Sequence, residues 1–407
     1  MMRSMLLAIA ALRNHQVYMD VVSSNISNVN TTGFKGSRVS FQELFNQTIR
    51  GASAPQGALG GLNPMQIGLG VALGGVDTLF TQGSLQDTGK LSDLAIQGDG
   101  FFVLDGGSGF LYSRDGALDV GLDGTLQSLA SGMKVMGWSA DADGNIDTAQ
   151  ALGPIQIPFG QSLARPTSTM VLRGNMDAQA AIGTTVNSTV SVYDSLGVLH
   201  AVDLTFTKTS ANNWSWAASD TDPLVTVTGG GNIVFDDDGT YSTTNPAMTI
   251  SMTCTNGAAN STVTLDMGNL TQLSGLSNVS AASQDGLPPG SLSTFSVSDS
   301  GEIVGVFSNG LNRRLGQIAL AKFVNPGGLL KMGQSLYAPS ANSGLAQVGL
   351  PGQDGRGQVA AGYLEMSNVE LAKEFTNMII AQRGFQANSR VITASDEMLQ
   401  DLVNLKR

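Results

Sequence analysis

The chain has 407 residues, 51 of them glycine, a formal net charge of −11 and only 13% charged residues. That length allows two or three domains with buried cores, and a charged share well under the usual value of about 25% gives a neutral, turn-rich surface. Sparse, scattered lysine and arginine exclude a phosphate-binding face and with it nucleic acid, and a lone cysteine, Cys254, excludes an internal disulfide or a cysteine zinc cluster.

The start, MMRSMLLAIAALRNHQ, imitates a secretory signal, but Arg13 and His15 interrupt its apolar run and its periodicity continues downstream. Cleavage is not expected. No run approaches the roughly 18 apolar residues that a membrane span needs.

Met5, Leu12, Met19 and Ile26 recur every seven residues, with Ile9, Val22 and Val29 between them. One apolar stripe on a helix from about 4 to 29 is predicted, with Gly33 as its stop. Residues 23–37, SSNISNVNTTGFKGS, turn polar while Ile26 and Val29 keep the helical spacing. Asn25, Asn28 and Asn30 are poor helix formers, whereas an asparagine buried in a seam fixes register at some cost in stability. All three are candidate assembly residues, together with the stripe itself.

Residues 34–75 are rich in Gly, Ala and Gln and read as an irregular or extended connector. GLGVALGG at 68–75 does not open a helix, so its glycines are assigned to backbone turns rather than to a dinucleotide site. The middle of the chain reads as antiparallel β. Asp-Gly or Asn-Gly pairs begin at Asp99, Asp115, Asp123, Asp143, Asp238, Asn256, Asp285, Asn309 and Asp354 and separate short β-favouring stretches. A nested arrangement fits: an inner β domain in two parts, 76–145 and 285–360, interrupted by an inserted outer β domain at 146–284.

Chemistry is missing from this middle. DADGNID at 141–147 alternates oxygen donors as calcium loops do, but Ile146 stands where the loop needs glycine and Leu152 where it needs glutamate. It reads as a polar turn. His200 reads as an ordinary strand residue, with no nucleophile motif around it. No catalytic residue, cofactor or metal site is expected.

The chain closes on a stronger version of its opening. Leu371, Met378, Phe385, Ile392 and Leu399 are seven apart, widened by Phe375, Val391, Met398, Leu402 and Leu405. Ser367 and Glu370 form an S-x-x-E capping box at the start of a helix over 368–405, with Met366 and Leu371 as the hydrophobic staple. A sustained seven-residue repeat predicts a coiled coil. The expected fold is thus multidomain α+β, with long terminal helices (within 1–33 and 361–407) forming a coiled-coil inner core.

SSNISNVNTTGFKGSR and LEMSNVELAKEFTNMIIAQRGFQANSRVITASDEMLQDLVNL resemble the paired terminal motifs of the bacterial flagellar rod and hook protein family. LQDTGKLSDLAIQGDGFFVL and FLYSRDGALDV are similar to its intervening β segments, in the same order. The length, TVSVYDSLGVLHAVDLTFTK and GLPPGSLSTFSVSDSGEIVGVFSNGLNRRLGQIALAKF resemble the hook members rather than the shorter distal rod subunit. The resemblance implies a structural subunit of a flexible helical tube that carries torque from rod to filament. It also implies unfolded passage through the flagellar type III export apparatus, assembly beneath a hook cap outside the cell, and distal rod and hook–filament junction proteins as neighbours. The alternatives are a distal rod subunit, or a secreted β-rich binding module with oligomerising helices. An unpaired helix of this kind is marginal, so both ends are expected to be disordered in the monomer and to fold as neighbouring copies bury their seams.

Overall fold

The computed structural model describes residues 2–55, 60–107, 109–141, 144–220, 222 and 224–404, with the side chains of all but Met2 and Leu402. The predicted turn residue Asp143, connector residues 56–59 and the predicted seam residue Leu405 lie outside the described residues, as does the Leu402 side chain. The described chain is mostly β, with two long helices that contact each other: α1 (Met2–Ser27) and α2 (Leu371–Asn404). It separates into two compact units. One comprises Met1–Ile157, Ser296–Val304 and Arg314–Arg407, the other Pro158–Phe295 and Gly305–Arg313.

In the first unit, the helices adjoin strands drawn from both halves of the chain. A six-stranded sheet takes Leu330–Gly333, Leu336–Ala338, Phe110–Ser113, Phe101–Asp105, Leu320–Lys322 and Gln347–Gly349 in that order. Its core is aromatic: Phe101 stacks edge-on with Phe80 and Phe323, and Tyr112 with Phe323 at 4.8 Å. Two further pairs, Gln358–Ala361 with Leu94–Gln97 and Tyr363–Glu365 with Leu85–Asp87, lead the chain into α2.

The connector is more regular than its composition suggests. Its strands β1 (Ser37–Glu43), β2 (Asn46–Arg50), β3 (Met65–Gly68) and β4 (Val71–Thr78) form a two-stranded antiparallel ribbon, β1 with β4 and β2 with β3. The ribbon is held by α1. The Asn14 amide donates to the Val71 carbonyl at 2.7 Å, the Tyr18 and Phe41 rings meet edge-on at 5.8 Å, and the Arg3 guanidinium donates to Gln47 at 2.8 Å. Glycine runs hid the strand alternation from sequence reading.

The second unit packs two sheets around one core that includes Val190, Leu204, Phe206, Trp214 and Ile250. One sheet takes Thr185–Tyr193, Leu199–Ser210, Asn213–Asp220 and Gly230–Val234. The other takes Val225–Thr228, Met248–Cys254, Ser261–Thr271, Thr169–Asn175 and Asn278–Gln284. One pair corrects the purely antiparallel expectation: Thr169–Asn175 runs parallel to Ser261–Thr271. It is wedged between two successive strands that run in opposite directions, so it can be antiparallel to only one of them.

Two of the predicted Asp-Gly turns also differ. Gly116 and Gly286 lack a positive φ. Instead, a β-carbon at either position would collide with the Leu94 carbonyl or with Thr167. Glycine there permits close approach rather than a tight turn.

Candidate assembly surface

The polar run after α1 is a joint within the chain. Asn25 is only 3% exposed. Its amide oxygen accepts the Ser37 N–H at 2.9 Å, and its amide nitrogen donates to the Ser37 carbonyl at 2.8 Å and to Glu374 of α2 at 3.3 Å. A single asparagine thus ties the end of α1, the start of β1 and the first turns of α2. Asn28 turns back on its own helix, donating to the Ser24 carbonyl at 2.9 Å and accepting from Thr31 Oγ1 at 3.1 Å. Asn30 is exposed. The helix ends at Ser27 rather than running to 29 and stopping at Gly33; Gly33, six residues further on, takes φ +64 in the following turn and lies against the backbone of Arg114 and Asp115.

Beneath this joint lies a buried charge network. Glu365 accepts Lys35 Nζ at 2.7 Å, Arg114 at 3.3 Å and the Gly83 N–H at 2.8 Å. Its own carbonyl accepts the Gly33 N–H at 2.8 Å. The side chains of Lys35 and Glu365 are fully buried, and that of Arg114 nearly so. Burial pushes the Lys35 amine and the Arg114 guanidinium below their ordinary values, and the Glu365 carboxylate pulls both back up. Lys331 caps the outside, its amine over the Phe34 ring and donating to the Lys35 carbonyl at 3.1 Å. Asn368 completes the joint: it accepts the Gly36 N–H at 2.9 Å and donates to the Leu79 and Thr81 carbonyls.

The start of α2 differs in detail from the expected cap. The helix begins at Leu371 rather than at 368, and Ser367 Oγ accepts the Val369 N–H at 3.3 Å. Glu370 is exposed, and its carbonyl accepts the Glu374 N–H that opens the helix. Asn368, expected inside the helix, instead bonds Gly36, Leu79 and Thr81, which flank β1 and β4.

The two helices run antiparallel. Asn25 meets Glu374, and ten residues away on each helix His15 lies against Gly384, where a β-carbon would come within 2.6 Å of the imidazole. The buried helix residues are mostly small or polar, Ala8, Asn25, Ala381 and Ser395, with Val22 the large apolar one. Met5, Leu12, Met19 and Ile26 are half-buried, as are Met378, Ile392 and Leu399, while Leu371 and Phe385 are exposed. An ideal helix drifts about 20° per seven residues, so the seven-residue row of α2 turns partly away from α1. The rest of α2 presents Phe375, Ile379, Ile380, Val391 and Met398, with Phe375 51% and Ile380 56% exposed. The ribbon adds Phe45, Ile49, Met65 and Ile67. This much uncovered apolar side chain on helix and ribbon marks an interaction surface.

His200 is buried between two carboxylates, Asp222 at 2.8 Å and Asp194 at 3.2 Å. Asn256 also donates to Asp194, so the group binds three turns together at one end of the second unit. Asp141 accepts the Asn145 N–H at 2.8 Å and closes a turn. Among the described residues no group of three His, Cys, Asp or Glu is placed to hold a metal ion.

Residues 5–35 match the family model described as flagella basal body rod protein, 163–287 the flagellar basal body protein FlaE D2 domain, and 360–405 the flagellar basal body rod FlgEFG protein C-terminal. The flagellar hook protein FlgE of Borreliella burgdorferi is 40% identical over 447 residues, and that of Treponema pallidum 38% over 463 residues. Both alignments cover 100% of each chain. The flagellar basal-body rod protein FlgG of Bacillus subtilis is 31% identical over 408 residues, again covering 100% of each.

Proposed function

This chain belongs to the flagellar hook protein family, a structural component of the bacterial flagellum outside the cell and not an enzyme, and on that premise we propose that its terminal helices form the coiled-coil inner layer of a flexible tube of many copies. The tube carries torque from rod to filament. The assembly residues are Met5, Leu12, Met19, Ile26, Asn25, Asn28 and Asn30 on the first helix and Leu371, Met378, Phe385, Ile392 and Leu399 on the second. The β regions lie outside in a nested arrangement, 146–284 inserted between 76–145 and 285–360, and slide against their neighbours as the tube bends. Distal rod, hook–filament junction, hook cap and export apparatus are the remaining partners.

The observation that carries this reading is the uneven use of apolar residues in the helix pair. Gly384 lies against His15, and Ala8, Val22 and Ala381 are buried, while Phe375, Ile379 and Ile380 of α2 stand exposed. One helix pair alone therefore leaves much of the apolar surface of α2 uncovered. Covering the open halves of five outward residues, Phe375, Ile379, Ile380, Met398 and Val403, offers roughly 4–8 kcal/mol per copy. A free helix pair is then weakly held and an assembled one firmly held.

The Bacillus rod relative supports a second reading, a distal rod subunit, and straight rather than curved polymers would favour it. Hydrogen exchange compares the two states of the full chain. Amides of α1 and α2 should exchange quickly in soluble monomer and slowly in assembled tubes. Strong protection of both helices in the monomer would contradict the proposal.

A further inference from the structure

The chain holds two Asn-Gly pairs, Asn256-Gly257 and Asn309-Gly310, both in the second unit. From outside they look alike. Each asparagine is half-buried, and each glycine is exposed with a positive φ, +88 and +83. Each asparagine Oδ1 accepts the N–H two residues on, from Ala258 at 3.0 Å and from Leu311 at 3.1 Å. Such a pair is open to cyclisation, because glycine has no side chain to keep its nitrogen away from the asparagine Cγ.

The surroundings differ at the two nitrogens that react. The Gly310 N–H donates to the Phe307 carbonyl at 3.0 Å, and Asn309 Nδ2 donates to the Leu163 and Pro288 carbonyls at 3.1 Å and 2.7 Å. Carbonyl oxygens only accept, so nothing there can hand Nδ2 a proton. The Gly257 N–H, in contrast, has no hydrogen-bond partner among the described residues. Asn256 Nδ2 donates to Asp194 Oδ2 at 2.8 Å, and the same oxygen faces His200 Nε2 at 3.2 Å. The Asp194 and His200 side chains are 0% and 1% exposed, and Asp222 fixes the imidazole from its other nitrogen at 2.8 Å. A buried carboxylate and imidazole thus end on the nitrogen that must leave.

We propose that Asn256 is a self-modification site, at which the Gly257 nitrogen displaces the Asn256 side-chain amide and the Asp194–His200 pair supplies the proton to the leaving group. The Gly257 nitrogen gives its proton to solvent water and bonds to Asn256 Cγ. The Ala258 N–H stabilises the charge that develops on Oδ1. The Cγ–Nδ2 bond then breaks, Nδ2 takes the proton held between Asp194 Oδ2 and His200 Nε2 and leaves as ammonia, and solvent refills the pair. Water opens the resulting succinimide at either carbonyl, leaving aspartate or isoaspartate at 256. The reaction occurs once per chain and turns over no substrate. Its product sets a carboxylate beside Asp194 where a hydrogen bond had joined two turns, and like charges there repel. The chemistry is independent of the hook-subunit reading.

Peptide mass spectrometry of the full chain, incubated at neutral pH and sampled over time, follows both pairs in one digest. Proton delivery to a leaving group is worth on the order of a hundredfold or more, so Asn256 should convert at least about tenfold faster than Asn309. Comparable rates, faster conversion of Asn309, or no conversion at 256 overturns the proposal. Asp194→Asn and His200→Gln then separate proton delivery from restraint. Each keeps a polar group of similar size but breaks the relay, so conversion at 256 should slow at least about tenfold while that at 309 stays unchanged. A cluster that merely restrains the turn gives the opposite sign, because loosening it speeds cyclisation. Unchanged or faster conversion at 256 in either variant contradicts the relay, and the comparison of 256 with 309 in the unaltered chain needs neither variant to fold.

Discussion

Replacing Glu365 by glutamine removes the anion shared by Lys35 and Arg114 at the joint between α1, the β sheet and α2. The three side chains are between 0% and 3% exposed, at 2.7 Å and 3.3 Å, so water cannot take over the role of the lost charge. Breaking a buried ion pair by removing one partner costs about 3–5 kcal/mol, because the remaining charge stays buried and unpaired. Here two cations remain. Lys35→Met removes one of those cations and leaves Glu365 and Arg114 as a matched pair. Its cost is the lost hydrogen bonds to Glu365 and the Thr81 carbonyl, about 1–3 kcal/mol. Hydrogen exchange of the full chain reads both variants through the Gly33 and Gly83 amides, which donate to Glu365 itself. Glu365→Gln should accelerate their exchange on the order of a hundred- to several-thousand-fold, and Lys35→Met should do so distinctly less. A change of less than about tenfold for Glu365→Gln, or a larger effect from Lys35→Met, would refute the claim that this network holds the joint.

Gly33→Ala should destabilise the same joint by about 2–5 kcal/mol, since its φ is +64 and a β-carbon would lie 2.5 Å from Asp115 N; thermal unfolding of the first unit measures it. The double change Asn25→Ala and Asn28→Ala should impair tube assembly more than β folding, and equal loss of both by sedimentation and circular dichroism would count against an assembly role. Acid should weaken the second unit. Burial acts to raise the Asp194 carboxyl, but hydrogen bonds from Asn256, the Val198 N–H, His200 and the Leu196 N–H hold it below its ordinary value of 3.8. Its contribution is therefore complete above that value and is lost as pH falls through the lower folded value. Melting followed through Trp214 and Trp216 should show the loss on acidification and a flatter pH profile for Asp194→Asn; identical profiles would contradict it.

The helices were legible because their evidence is local. A seven-residue apolar row such as Met5, Leu12, Met19 and Ile26 is visible in any window of the sequence, although the helix ends at Ser27, before the expected stop at Gly33. The joint was not legible, because its partners are remote. Lys35 and Arg114 lie 79 positions apart, and Glu365 a further 251 from Arg114. No periodicity links charges across such gaps. The available signal was weaker: each is a charged residue inside one of the family-like segments (GFKGSR, FLYSRDGALDV, LEMSN) of a chain with few charges. Asn25 stands out in the sequence as a poor helix former beside an apolar seam, but its bonds to Ser37 and Glu374 depend on how the chain returns after α1. The ribbon was missed for a related reason. Its strands alternate imperfectly around glycines and bulges, and their pairing is set by α1 alongside.

The most direct measurement is electron cryomicroscopy of tubes assembled from the purified full chain. A hollow, curved polymer whose innermost layer is α1 and α2, each touching adjoining copies through Phe375, Ile380 and their neighbours, is the predicted result. Tubes whose wall is made by the β units alone, with both helices standing free of every other copy, would contradict the account.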